Sequence, residues 1–328
     1  MNALAAGQQL EAGGRLAEAI DCYDRAIAES HGDARRHGVA WMNRGNALQK
    51  LAAATPAGPP RAVAFAAALA AYDHAIASFR RLPVATDTLA RNHLGAAWLN
   101  RGHLQLIAAD TAGAAAAFAE AIAWLERLPL ESDPHFRLNL AGARVNLAHV
   151  LLATAPDAAR ASAQAALTAL AGHERQHPLF AEIGLRARRA FVLSLGPQAD
   201  SDQIAAATDA IEEGLAVARD WDRLGVTGHR PLALRLFRLG AQLYHRHQPQ
   251  FLAEFVLEQV AAVPAEDDPG FRAEGAAAID LALVELRRPR FVSLDDDDAP
   301  RLLETAAALR RALQHLSLSQ SDQPPSLA

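Results

Sequence analysis

The stretch Trp98–Phe118, WLNRGHLQLIAADTAGAAAAF, decides how this chain folds. It reads as the two arms of a helix hairpin, the first carrying Trp98-Leu99-Asn100-Arg101-Gly102 and the second Ala114-x3-Phe118. Both phrases recur. Trp41-Met42-Asn43-Arg44-Gly45 repeats the first, and Arg144-Val145-Asn146-Leu147-Ala148 is a degenerate copy. The second returns as Ala19, Tyr23, Ala26, Ile27, then as Ala68, Tyr72, Ala75, Ile76, and more weakly as Ala207, Ile211, Gly214, Leu215. With only 3 Tyr and 11 Phe in 328 residues, chance does not supply that recurrence. The small residues Gly45, Gly102 and Ala148 let a paired helix approach closely, and large aromatics fill the space beside them.

Working outward, Gly and Pro punctuate the whole chain and leave fourteen segments with apolar positions at helical spacing. Alanine supplies 78 residues, and no segment sustains a period-two pattern. Helix is favoured and sheet is not, so the fold class is all-α, arranged as hairpins. Asp33, Asp87, Asp133-Pro134 and Asp157 stand where helix starts are expected. The stretch TPAGPP at 55–60 reads as a long loop inserted within one hairpin.

Other classes are disfavoured by composition. The lone Cys22 excludes a disulfide framework and a cysteine-based zinc site. The start MNALAAGQQLEAGG lacks a signal-like apolar core, and the Ala-diluted run around Phe65 does not read as a membrane span, so a cytoplasmic, unanchored protein is expected. The net charge of −5 does not suit a general nucleic-acid binder. Of the 32 basic residues only Lys50 is lysine, an excess of arginine that reads as coding bias, so arginine counts by themselves carry little meaning.

These phrases resemble the tetratricopeptide repeat (TPR). Trp98, Gly102, Ala114 and Phe118 match its Trp-x2-Leu-Gly-x2-Tyr then Ala-x3-Phe signature at the family's own spacing. Ala6, Gly7, Leu10, Gly14, Ala19 and Tyr23 match it in the first repeat. Arg44 and Arg101 depart from it by replacing the usual Leu, and the repeat pitch is longer than the family's 34; the phrase His31–Leu51, HGDARRHGVAWMNRGNALQKL, resembles the extended-helix repeats of kinesin light chains and Pins-type scaffolds. The resemblance implies a superhelical solenoid of about seven hairpins over residues 1–317. It is most recognisable over 3–215, with degenerate capping hairpins over 216–317 and a disordered tail at 318–328.

In the family, the third residue of the Trp-x-Asn-x-Gly phrase faces the concave groove. The resemblance therefore places Asn43, Asn100, Asn146, Arg188, Arg238 and Asp280 in one column. The next groove position gives Asn46, His103, His149, Phe191, Ala241 and Leu283. Asparagine amides suit the backbone of an extended peptide, and arginines suit its carboxylates. The expected function is a non-enzymatic adaptor that binds a segment of another protein, one carrying acidic groups, with no cofactor. A ligand-responsive sensor on the same solenoid is the alternative. An enzyme is the least favoured reading. His173-Glu174-Arg175-Gln176-His177 satisfies H-E-x-x-H, the zinc-hydrolase pattern, but Gly172 and Pro178 bracket it at a joint between hairpins. His245-Arg246-His247 reads as a helix C-terminus and Asp295–Asp298 as a solvated helix-start loop.

Overall fold

The computed structural model describes residues 2–261, 269–287 and 299–318. Among them are fourteen helices and no strand: α1 (Ala3–Ala12), α2 (Leu16–Glu29), α3 (Ala34–Ala54), α4 (Pro59–Arg80), α5 (Thr88–Ile107), α6 (Thr111–Leu125), α7 (Pro134–Leu151), α8 (Pro156–Leu170), α9 (Pro178–Leu193), α10 (Ser201–Arg223), α11 (Arg230–His247), α12 (Leu252–Ala261), α13 (Pro269–Leu286) and α14 (Ala299–Leu318). The run of hairpins read over 1–317 divides by its own contacts into two compact units, Met1–Leu170 and Ala171–Ala328. Asp295–Asp298 and most of the tail read at 318–328 lie outside the described residues, and α14 reaches Leu318.

In the first unit the hairpins α1/α2, α3/α4, α5/α6 and α7/α8 follow one another, each second helix also packing on the next first helix. The first helices touch each other as well, α1 with α3, α3 with α5 and α5 with α7, whereas the second helices make no comparable contact. The first helices therefore form the tighter, inner layer of this unit. Within the first three hairpins the approach is set by glycine seated against a ring. A Cβ added at Gly7 would lie 2.5 Å from the Tyr23 ring, at Gly45 2.7 Å from Tyr72 and at Gly102 2.7 Å from Phe118. The two long hairpins repeat the seat two turns earlier, Gly38 against Phe79 at 2.6 Å and Gly95 against Leu125 at 2.6 Å. All five large side chains are fully buried.

Helix ends explain the boundaries. Asp33, Asp87 and Asp133 accept backbone N–H groups at the starts of α3, α5 and α7. Asp110 does so for α6, and Asp200 forms a capping box with Gln203 for α10, two caps that the sequence reading passed over. Asp157 lies one residue inside α8, which begins at Pro156. The TPAGPP stretch is not a long insertion, since α3 runs to Ala54 and Pro59-Pro60 open α4, where proline's missing N–H costs nothing. The long repeat pitch comes instead from helices of 21 and 22 residues. By length and apolarity alone α4 could span a bilayer, which corrects the sequence reading. Its Ala68, Ala71, Tyr72, Ala75 and Phe79 are wholly buried in the packing of this unit.

The second unit holds α9/α10, α11/α12 and α13/α14, with α11 also touching α9 and α13. The glycine seat survives here where the signature is eroded. A Cβ at Gly240 would lie 2.5 Å from Phe255, which stacks on Phe237 with ring centroids 5.8 Å apart.

One turn is strained. The α1–α2 and α5–α6 turns share their pattern, with Arg15 N–H donating to Leu10 O and Asp110 N–H to Gln105 O, both at 2.9 Å. The left-handed residue is Gly14 (φ 75°) in the first and Ala109 (φ 62°) in the second. Ala109→Gly should therefore stabilise the protein by about 0.5–1 kcal/mol, and Gly14→Ala should destabilise it by a similar amount, read by urea denaturation. A second expectation concerns acid. Burial, followed by the nearby Arg35, holds His93 below the ordinary imidazole range, and burial also leads the lowering at His37. The folded state resists protonating both. Stability is therefore present above about pH 6.5 and is lost as pH falls from there toward the folded-state pKa. His93→Phe, which keeps the ring contact with Phe79 at 5.2 Å, should flatten that loss in melts taken from pH 7 to 5.

Candidate functional site

The inner layer of the first unit carries the expected amide column, and the structure assigns its members different tasks. Tyr72 reaches from α4 and its hydroxyl lies 2.9 Å from both Asn46 Oδ1 and Gln49 Oε1 on α3. Asn100 Nδ2 on α5 donates to the same Asn46 Oδ1 at 3.2 Å, and Gln49 Nε2 lies 3.3 Å from His103 Nδ1. One layer on, Asn139 on α7 donates to Asn92 on α5 at 3.0 Å. The asparagines thus clasp neighbouring first helices, a structural task that the sequence reading did not assign them. Burial pushes the Tyr72 hydroxyl well above its usual range, so it stays a protonated donor.

The clasp leaves part of the amide chemistry unspent. Asn43 Nδ2 is buried without a partner. Asn46 keeps its Nδ2 donor and Asn100 its Oδ1 acceptor outside the clasp. His103 is exposed, and Asn146 and His149 are half-buried on α7.

The arginines kept for carboxylates separate. Arg188 is not available for a ligand, because it is buried and its guanidinium grips the Glu174 carboxylate in a two-pronged ion pair, Nη2 to Oε2 at 2.8 Å and Nη1 to Oε1. Gly184 makes room for it, since a Cβ there would stand 1.6 Å from Glu174 Oε1. Arg238 is exposed and 3.1 Å from Glu274. Phe191, Ala241 and Leu283 are buried core residues, so the column continued from the first unit does not mark a groove on α9, α11 and α13. Sequence reasoning passed over Arg186, Arg189 and Arg235 on α9 and α11. Burial lowers the Arg189 pKa first, and the positive charges of Arg235 and Arg186 lower it further.

The H-E-x-x-H string forms a turn between α8 and α9 rather than one face of a helix. Glu174 is held by Arg188 and its carbonyl accepts Trp221 Nε1 at 2.9 Å. His177 caps α9, its Nδ1 accepting Leu179 N–H at 3.1 Å. The glutamate and the second histidine are therefore committed to structure. Among the described residues no group of three or more His, Cys, Asp or Glu side chains is placed to hold a metal ion.

The buried pair carries a prediction. Glu174→Ala should cost about 3–5 kcal/mol in urea denaturation by leaving Arg188 buried and unpaired. Replacing both, as Glu174→Leu with Arg188→Met, should recover most of that loss.

No family model matches this chain, and no curated protein does. Among solved structures it is similar to the crystal structure of the P58(IPK) TPR domain, at 15% identity over 98% of this chain and 99% of that one, with a TM-score of 0.26. Among the described residues the fourteen helices pair into seven TPR-like hairpins of an all-α fold, and four of these hairpins seat a glycine on a ring of the partner helix.

Proposed function

We propose that this chain is a non-enzymatic, cytoplasmic repeat scaffold whose first unit holds an extended segment of another protein across α3, α5 and α7. The observation that supports this reading is the unspent chemistry beside the asparagine clasp: a donor at Asn46 Nδ2 with an acceptor at Asn100 Oδ1. A peptide backbone offers donors and acceptors in alternation, so it can engage both without its side chains being read. His103, Asn146 and His149 lie along the same first helices and extend the contact. This reading needs no cofactor, and a net charge of −5 makes a protein segment a better partner than nucleic acid.

The test is a displayed library of random linear peptides selected against the full chain. Selected peptides should lose about tenfold in affinity for a doubly substituted Asn46→Ala/Asn100→Ala variant, as two hydrogen bonds of roughly 0.5–1.5 kcal/mol each predict. Equal affinity for wild type and a folded variant would move the binding surface off this face.

A further inference from the structure

The second unit holds a cavity that plays no part in the peptide reading. It opens between the C-terminal ends of α9 and α11, has a volume of about 230 Å³, and is walled by Val192, Leu193, Leu195, Leu239 and Leu243. Leu193 is 40% exposed, so part of that apolar wall meets water. Gln242, Arg246 and His247 also line it, and among the described residues no acidic side chain joins them.

One face of α11 builds the polar side of the site. Leu239, Leu243 and Arg246 follow at i, i+4 and i+7, and Gln242 stands one turn before Arg246, so all four share one stripe of the helix. Arg246 is exposed and differs from its paired neighbours on α11. Arg230 is held by Asp222, Arg238 lies 3.1 Å from Glu274 and His245 lies 2.9 Å from Glu285, whereas among the described residues no Asp or Glu stands within ion-pairing distance of Arg246. The helix ends beside it are closed by their own backbone. Ser194 N–H donates to Ala190 O and Phe191 O, Leu195 N–H to Val192 O, and Gln248 N–H to Tyr244 O, which blunts the negative end of each helix. The site therefore sets an unmatched positive charge beside an apolar wall.

The geometry points to a binding site for a small monocarboxylate with an apolar chain. Its carboxylate accepts from the Arg246 guanidinium at the open side, and its chain lies against Leu193, Leu195, Leu239 and Leu243. At about 30 Å³ for each water in the liquid, the cavity takes the place of roughly seven waters, which suits an acid of about six carbons and falls below the roughly 300–1,000 Å³ of sites for drug-sized ligands. A guanidinium holds a carboxylate through charge-assisted N–H donors more strongly than it holds a neutral amide, and each methylene taken out of water adds to binding. A cationic head on the same chain would meet Arg246 as a like charge.

The probe is hexanoate, titrated into the full chain at constant ionic strength and followed by ligand-observed saturation-transfer NMR. Acetate keeps the charge and lacks the chain, and hexanamide keeps the chain and lacks the charge. The expected result is saturable binding of hexanoate, with binding about tenfold weaker or more for each analogue and for hexanoate with Arg246→Gln. Gln242→Glu, which places a carboxylate one turn from Arg246, should weaken hexanoate binding to a similar degree. Both positions are exposed, so neither variant disturbs the core. Absent or unsaturable binding, equal binding of hexanoate and either analogue, or unchanged affinity in either folded variant would overturn the assignment. So would a crystal soaked in hexanoate whose bound carboxylate lies away from Arg246.

Discussion

The contact on which the first unit depends is the absence of a side chain. Where a glycine faces a ring across a hairpin, the two helices close to a distance at which a single methyl group would stand 2.5–2.7 Å from aromatic carbon. Overpacking of that kind costs about 1–3 kcal/mol even when neighbours yield. The seat also fixes register. In the second and third hairpins two seats lie two turns apart, Gly38 with Gly45 and Gly95 with Gly102, so neither hairpin can slide without driving a ring into backbone. The fourth hairpin reaches the same end differently. Its sequence register places Ala148 where Gly102 stands and Ala163 where Phe118 stands, and both alanines are fully buried. Volume added on one helix is removed from the other.

A fixed hairpin spacing has a consequence for the inner layer. Because α3, α5 and α7 are drawn together, polar side chains between them must either find partners or lose water without compensation. Asn46 answers this by accepting from Tyr72 of its own hairpin and from Asn100 of the next, which ties the within-hairpin seat to the between-hairpin seam through one carbonyl oxygen. The face proposed for peptide binding is thus built from groups that already position the repeats. A ligand that engages the outward halves of the same amides meets donors and acceptors held in place before it arrives.

The hairpins were legible because their determinants are local and repeated. The Trp-x-Asn-x-Gly and Ala-x3-aromatic phrases name both sides of each seat, and Leu236–Gly240 still reads as a first helix although its partner ring, Phe255, carries no surrounding signature. The candidate site was less legible, since position in a column does not say what a side chain touches. Asn100 and Arg188 occupy equivalent places by motif, yet one clasps a neighbouring amide at the inner face and the other is spent on a glutamate fourteen residues before it. Gly172 and Pro178 already argue against Glu174 as a catalytic base, but nothing in its local spacing names Arg188 as its partner; that pairing depends on Gly184, whose missing Cβ admits the carboxylate.

Arginine shows the same limit from the other side. Its excess over lysine is uninformative as a count, but two of its departures from the repeat signature have a physical account that lysine could not satisfy. Arg44 lies over the Trp41 ring with its guanidinium carbon 5.5 Å from the centroid while its Nε donates to Asp24 at 2.6 Å. Arg101 lies over Trp98 at 5.4 Å while its Nε donates to Asp73 at 2.8 Å. Asp24 and Asp73 directly follow Tyr23 and Tyr72, the rings of the glycine seats. Each such arginine therefore joins the first helix of one hairpin to the second helix of the hairpin before it, with a planar group that stacks through its face and donates through its edge. An ammonium is a point charge and can favour the ring or the carboxylate, but it cannot present a face to one and an edge to the other. The residue that looks like a flaw in the repeat signature is the one that fastens successive repeats together.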